Sequence, residues 1–166
     1  MTLTTARLNL RPHDMADYPI FREFWMSERA RHIGGPLRHD HEVWRQFAAE
    51  RGHWELRGFG LWTLVSAATQ QVVGWVGLQQ PAHYDVPELA WHLTAASEGQ
   101  GLAHEAAAAA LAHGRASLGM TRVISYVSDA NTRSLRLAER LGANVVERGS
   151  FAGRAYALFQ HPEGTA

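Results

Sequence analysis

A chain of 166 residues suits one domain, with roughly two thirds of its unfolded surface buried around a single core. Lysine plus arginine and aspartate plus glutamate both total 16, so the formal charge is zero; no run of five basic residues occurs, and nucleic acid is disfavoured as the main partner. Cysteine is absent, which excludes disulfides, thiolate metal sites and an acyl-cysteine intermediate, and with no leader pattern and no run near the roughly 18 apolar residues of a membrane span, a cytoplasmic chain without a membrane partner is expected.

The ten histidines gain charge as pH falls toward about 6.5, which bears on solubility rather than on a function. They form no HExxH pattern, and His39 and His41 flank Asp40 in a polar stretch that reads as a solvated turn, so no metal is expected. Arg7-Leu8-Asn9-Leu10-Arg11 alternates like a half-buried strand that Pro12 limits. Asp14 is a plausible N-cap for a helix carrying Tyr18, Phe21, Phe24 and Trp25 at helical spacing, with Pro19 delaying or kinking its start. Ile33 to Pro36 reads as a turn, and about His41 to Trp54 as a second amphipathic helix ended near Gly52 or Gly58.

Phe59 to Ser66 and Val72 to Leu78 form a hairpin around Ala67 to Gln71, and a two-proline loop leads to a strand at Glu88 to Leu93. An alanine-rich helix then runs to a stop at Gly119, its small side chains suited to close packing on a sheet. Strands at Arg122–Val127, Val145–Glu147 and Arg154–Phe159 and a helix at Thr132–Leu141 complete the chain. The order implies an α+β, or mixed α/β, fold: a mostly antiparallel twisted sheet of about six to seven strands with helices on both faces.

The stretch Ser97-Glu98-Gly99-Gln100-Gly101-Leu102-Ala103-His104 joins the aromatic strand to the alanine-rich helix and admits two readings. Ser97 and Gln100 fit a capping box that satisfies the free N–H groups of the helix start. The two glycines fit an open loop whose N–H groups and helix dipole accept a phosphate. Downstream, Asn131 is a natural N-cap, and Ser134 lies on the same helix face.

Together, Gly-x-Gly-x-Ala at 99 to 103, a strand, Asn131-x-x-Ser134 and Leu141-Gly142 resemble the GNAT superfamily of N-acetyltransferases. Within it, Ala6 to Pro12, Val73-Gly74-Trp75-Val76-Gly77-Leu78, Glu88 to Leu93, Gly99 to Ala106 and Asn131 to Gly142 look like landmarks of the RimJ/RimL-like branch. The resemblance implies acetyl transfer from acetyl-CoA to an amine acceptor, a protein N-terminus or a small primary amine. It assigns the pyrophosphate to the Gly99 loop and the backbone of Gln100, Gly101, Leu102, Ala103 and His104, and the pantetheine arm to the backbone of His92 and Leu93. The family asparagine maps to Asn131, the acid to Ser134, and Glu88 matches an often acidic position suited to a general base.

Two departures stand out. Glu98 puts a negative charge where relatives commonly carry Gln or Arg, worth up to roughly 3 kcal/mol of repulsion at about 6 Å, and is expected to turn outward. Ala138 stands where many relatives carry a tyrosine near the thiolate. His83 and Tyr84 are reserve candidates for the base, and His92 reads as a packed or cofactor-side residue. Trp25, Trp44, Trp54 and Phe24 are candidates for either the amine pocket or the core. A non-catalytic acyl-CoA-binding module is the alternative function, and homodimers are common for such a fold.

Overall fold

The computed structural model describes residues 1–163. β1 (Leu3–Thr4) and β2 (Leu8–Arg11) lead through a 3-10 turn at Met15–Asp17 into α1 (Tyr18–Trp25), and a second 3-10 segment, Glu28–His32, precedes α2 (Asp40–Arg57). β3 (Leu61–Ser66), β4 (Val72–Gln79) and β5 (Glu88–Leu93) follow, then α3 (Leu102–Leu118), β6 (Ile124–Ser128), α4 (Thr132–Arg140), β7 (Asn144–Phe151) and β8 (Arg154–Gln160). The strands form one sheet in the order β1-β2-β3-β4-β5-β6-β8-β7, parallel only where β5 meets β6.

The eight strands exceed the expected six to seven because β1, at two residues, is too short to show an alternating pattern. β7 runs over eight residues rather than three; as an edge strand exposed along most of its length, it has no buried face to impose alternation. Asp14 caps the 3-10 turn by accepting from Ala16 N at 2.9 Å, and Pro19 falls in the first turn of α1, where a missing N–H breaks no helical bond.

Alternation divides the apolar residues between two faces. Leu8, Leu10, Trp62, Leu64, Val76, Leu78 and Leu89 pack against Ala106, Ala107, Ala110 and Leu111 of α3. The contact is close: a methyl added at Gly114 would meet Leu78 Cδ1 at 2.6 Å. On the opposite face Trp75 is enclosed by Phe21, Phe24, Trp25 and Phe47 of α1 and α2. Val127, Ala157 and Phe159 form a third cluster with Ala138 of α4 and Ala143. Helices therefore cover both faces, but α1 and α2 cover theirs only around β3 to β5, which leaves the face of β6 and β8 beyond them open at Tyr126.

Two glycines give opposite expectations. A Cβ at Gly77 would lie 2.2 Å from the carbonyl oxygen of Gly60, just before β3, whereas one at Gly52, inside α2, meets nothing within 4 Å. Thermal denaturation should show Gly77→Ala destabilised by about 1–3 kcal/mol and Gly52→Ala stabilised by about 0.5–1 kcal/mol.

Candidate active site

The parallel pairing of β5 with β6 stops after one register pair, Glu88 with Ile124. Side chains take the next ladder positions. Ser125 Oγ donates to the Leu89 carbonyl at 2.6 Å, and Glu88 Oε1 accepts from the Tyr126 amide at 3.3 Å. Beyond this point the strands diverge, and a cleft opens toward the N-termini of α3 and α4. Trp91 Nε1 reaches across it and donates to Ser134 Oγ at 3.0 Å.

At the mouth of the cleft, α3 begins at Leu102, after Gly99 and Gly101 with φ of +73° and +76°. A residue with a Cβ is strained in that region, so glycine is required for this turn. The alternative capping box does not form. Ser97 is buried and hydrogen-bonded to Thr94 Oγ1 at 2.9 Å, and Gln100 Nε2 donates back to the Ala96 carbonyl at 2.9 Å. No hydrogen bond among the described residues uses the N–H groups of Gln100 to His104. These donors and the positive end of a 17-residue helix suit an anionic group.

Glu98 is not turned to water as expected. It is paired with Arg29, between α1 and α2, and with Arg133 of α4. Arg29 also donates to the Leu93 carbonyl, at 3.0 and 3.2 Å. Two guanidinium groups thus offset the charge that would repel a phosphate, and the three side chains bridge the two halves of the sheet. On the other side of the loop, Arg7 donates to the Gln100 carbonyl at 2.8 Å and pairs with Glu105 at 2.6 Å, with Thr5 also donating to that carboxylate. Burial would raise the Glu105 pKa, but these bonds hold it below the ordinary value. The same guanidinium would lie 3.6 Å from a Cβ at Gly101.

Glu88 is buried at the closed end of the cleft, where burial pushes its pKa up against the bonds from Gln79, at 3.2 Å, and the Tyr126 amide. Burial, and then the nearby Glu88, push the Tyr84 phenol up to about 12. His92 shares the sheet face of Glu88, two alternations along β5, with its ring 5.7 Å from Phe24 and 5.9 Å from Trp25. Burial lowers its pKa and favours neutral imidazole. Asn131 caps α4, its side chain accepting from Ser134 N at 3.3 Å, and so fixes the turn that carries the Ser134 hydroxyl.

Residues 7–144 match the acetyltransferase (GNAT) domain. The chain belongs to the GNAT acetyltransferase family and is an acyltransferase. It is similar to an acetyltransferase from Agrobacterium tumefaciens at 31% identity, with a TM-score of 0.90 and coverage of 98% of this chain and 95% of that one. A GNAT-family acetyltransferase from Bordetella pertussis matches at 32% identity, with a TM-score of 0.82 and coverage of 97% and 99%. RimL, a ribosomal L7/L12 alpha-N-protein acetyltransferase solved with coenzyme A, shares the fold at 13% identity, with a TM-score of 0.81 and coverage of 98% of each chain. The neighbours thus include the RimJ/RimL-like branch that the sequence resembles.

The cleft brings Trp91 of β5 to Ser134 of α4, while Glu88 stays at its closed end rather than beside Ser134. Ala138 is fully buried on the inner face of α4 and presents no polar group, and Trp54 packs on Trp62, with ring centroids 5.1 Å apart, as core rather than pocket wall. Phe24 and Trp25 are buried around Trp75, and only Trp44 of the candidate wall residues is exposed. Arg7, Arg29 and Arg133 escaped the sequence reading; a lone arginine on an alternating strand or a helix surface carries no signal until the chain folds it against the loop. A Gly101→Ala substitution should weaken acetyl-CoA binding about tenfold, since left-handed strain of roughly 1–2 kcal/mol must be restored on binding. Calorimetric titration checks this, and an unchanged Kd would show that the loop does not hold the ligand.

Proposed function

We propose that the protein transfers the acetyl group of acetyl-CoA to a primary amine by direct attack, with Glu88 as general base and Ser134 as proton donor to the departing thiolate. The observation that carries this reading is the divergence of β5 from β6 after Glu88, with the unpaired N–H groups of the Gly99 loop at its open end. The donor set fits a pyrophosphate, which the backbone of Gln100, Gly101, Leu102, Ala103 and His104 would hold, with Gly99 shaping the turn. The backbone of His92 and Leu93 would pair with the pantetheine arm, and Arg29 would give up the Leu93 carbonyl as it did so. Acetyl-CoA supplies the activated acetyl group; the chain supplies alignment, a base and an acid.

Trp91 donates to Ser134 Oγ, so the serine keeps its own O–H proton for another acceptor. Asn131 supports that role by holding the first turn of α4. Burial raises the pKa of Glu88 toward working pH, which suits a group that must take a proton from an ammonium, directly or through water. The α-amino specificity in the name of RimL supports a protein N-terminus as acceptor, and a small primary amine presents the same reacting group.

Following free thiol while acetyl-CoA meets a panel of amines tests the reading directly. Glu88→Gln preserves the acceptor oxygen for Tyr126 and should lower kcat about a hundredfold with acetyl-CoA affinity unchanged. Because the ionised carboxylate is the active form, wild-type activity should rise with pH, with its midpoint above the ordinary glutamate value of about 4.3, and Glu88→Gln should lose that limb. Ser134→Ala should slow transfer, with stability lowered by no more than the lost Trp91 bond, about 1 kcal/mol. Equal rates for wild type and Glu88→Gln would remove Glu88 from the mechanism, and a failure of every amine in the panel to release thiol would remove the acceptor class.

A further inference from the structure

The open face beside the cleft carries a built aromatic platform. Tyr126 of β6 is 44% exposed, with ring centroids 6.1 Å from Tyr84 and 5.3 Å from Tyr156, both pairs edge to face. Tyr156 lies across Gly149, where an added Cβ would meet its hydroxyl oxygen at 2.6 Å, and donates to Glu147 Oε1 at 3.1 Å. A depression of about 380 Å³ adjoins the row, lined in part by Tyr84, Tyr126, Asp85 and Arg122. Glu88 adjoins the row on the side of the cleft, through its bond to the Tyr126 amide.

The charges facing this row are unequal. Asp85, Glu88 and Glu147 meet two guanidinium groups, that of Arg122 and that of Arg154, which shares the face of Tyr156 on β8 but reaches away to donate to the Arg31 carbonyl at 3.0 Å, while Arg148 of the same hairpin is paired with Asp129 at 2.8 Å. Tyrosine rings flanked by carboxylates attract cations, since the ring face is negative and the carboxylates add to its field. From Tyr126 to Glu147 is two strand steps, β6 to β8 to β7, or roughly 10 Å.

We infer that this tyrosine row docks the acceptor and selects primary amines whose chain carries a second positive charge within the roughly 10 Å that separates Tyr126 from Glu147. The inference rests on the proposed amine transfer at Glu88. The reacting amine sits at the Glu88 end, and the second cation rests on Tyr126 and Tyr156 with Glu147 behind it. A linear diamine or a peptide N-terminus with a basic side chain downstream satisfies this chemistry.

Matched substrate pairs test the inference in the intact protein. One pair is a linear diamine and the monoamine of equal length; the other is a short peptide with lysine or norleucine near its N-terminus. The charged member of at least one pair should show about tenfold higher kcat/KM, and the responding pair identifies the source. Tyr126→Leu and Glu147→Gln should bring the two members toward parity through KM, with acetyl-CoA affinity unchanged, whereas Tyr126→Phe should keep the preference. Parity in wild type for both pairs, or a preference that survives both Tyr126→Leu and Glu147→Gln, overturns it. Calorimetry of the charged ligands on CoA-loaded Glu88→Gln separates the two readings. Binding that depends on Tyr126 sustains the docking site even if no amine turns over, and its absence overturns the site.

Discussion

A single ladder pair, Glu88 with Ile124, joins the two halves of the sheet, and the rest of the site depends on its being single. Were the pairing to continue, the β5 backbone would spend its edge on β6 and leave none for another chain-like partner. Pairing ends because side chains occupy the next positions: the Ser125 hydroxyl takes the Leu89 carbonyl, and the Glu88 carboxylate takes the Tyr126 amide. Glu88 therefore both ends the ladder and stands as an ionisable group at the closed end of the cleft. Burial that serves the first role raises its pKa for the second.

The cleft is held open from its far end. Trp91 reaches Ser134 across the gap, while Glu98 ties Arg29 on the α1–α2 side to Arg133 on α4. Such exposed ion pairs contribute little stability singly, but here they share one carboxylate and fix the edge of the Gly99 loop. Behind them a buried polar row braces α1 and α2 against the sheet. Asp17 accepts both terminal nitrogens of Arg11 at 2.7 Å and the Thr63 hydroxyl at 2.9 Å, and His13 connects Thr63 to Glu50 at 2.8 Å on each side. The rigid α1–α2 layer ends at Phe24 and Trp25 beside His92, and the open tyrosine face begins beyond it.

Much of this was legible in the residues. The Gly99 loop, Asn131 and Ser134 could be found because backbone geometry and capping demand particular residue types at fixed spacing. Helix limits were less legible: of the two candidate stops for α2, Gly52 lies inside the helix and Gly58, with φ of +76°, ends it, because a glycine alone does not tell which of the two takes the left-handed turn. The fate of Glu98 and the roles of Arg7, Arg29 and Tyr156 were not legible at all. Each depends on a partner many residues away, and local sequence records charge but not the neighbour that neutralises it.

The most direct test of the account is an amide nitrogen-proton NMR titration of the labelled protein with coenzyme A. If the divergence of β5 and β6 is the cofactor cleft, the largest shifts should fall on Gly101 to His104 and on Ala90 to Leu93, with the β7–β8 hairpin tip little changed. Shifts confined to other segments, or none at millimolar ligand, would contradict it.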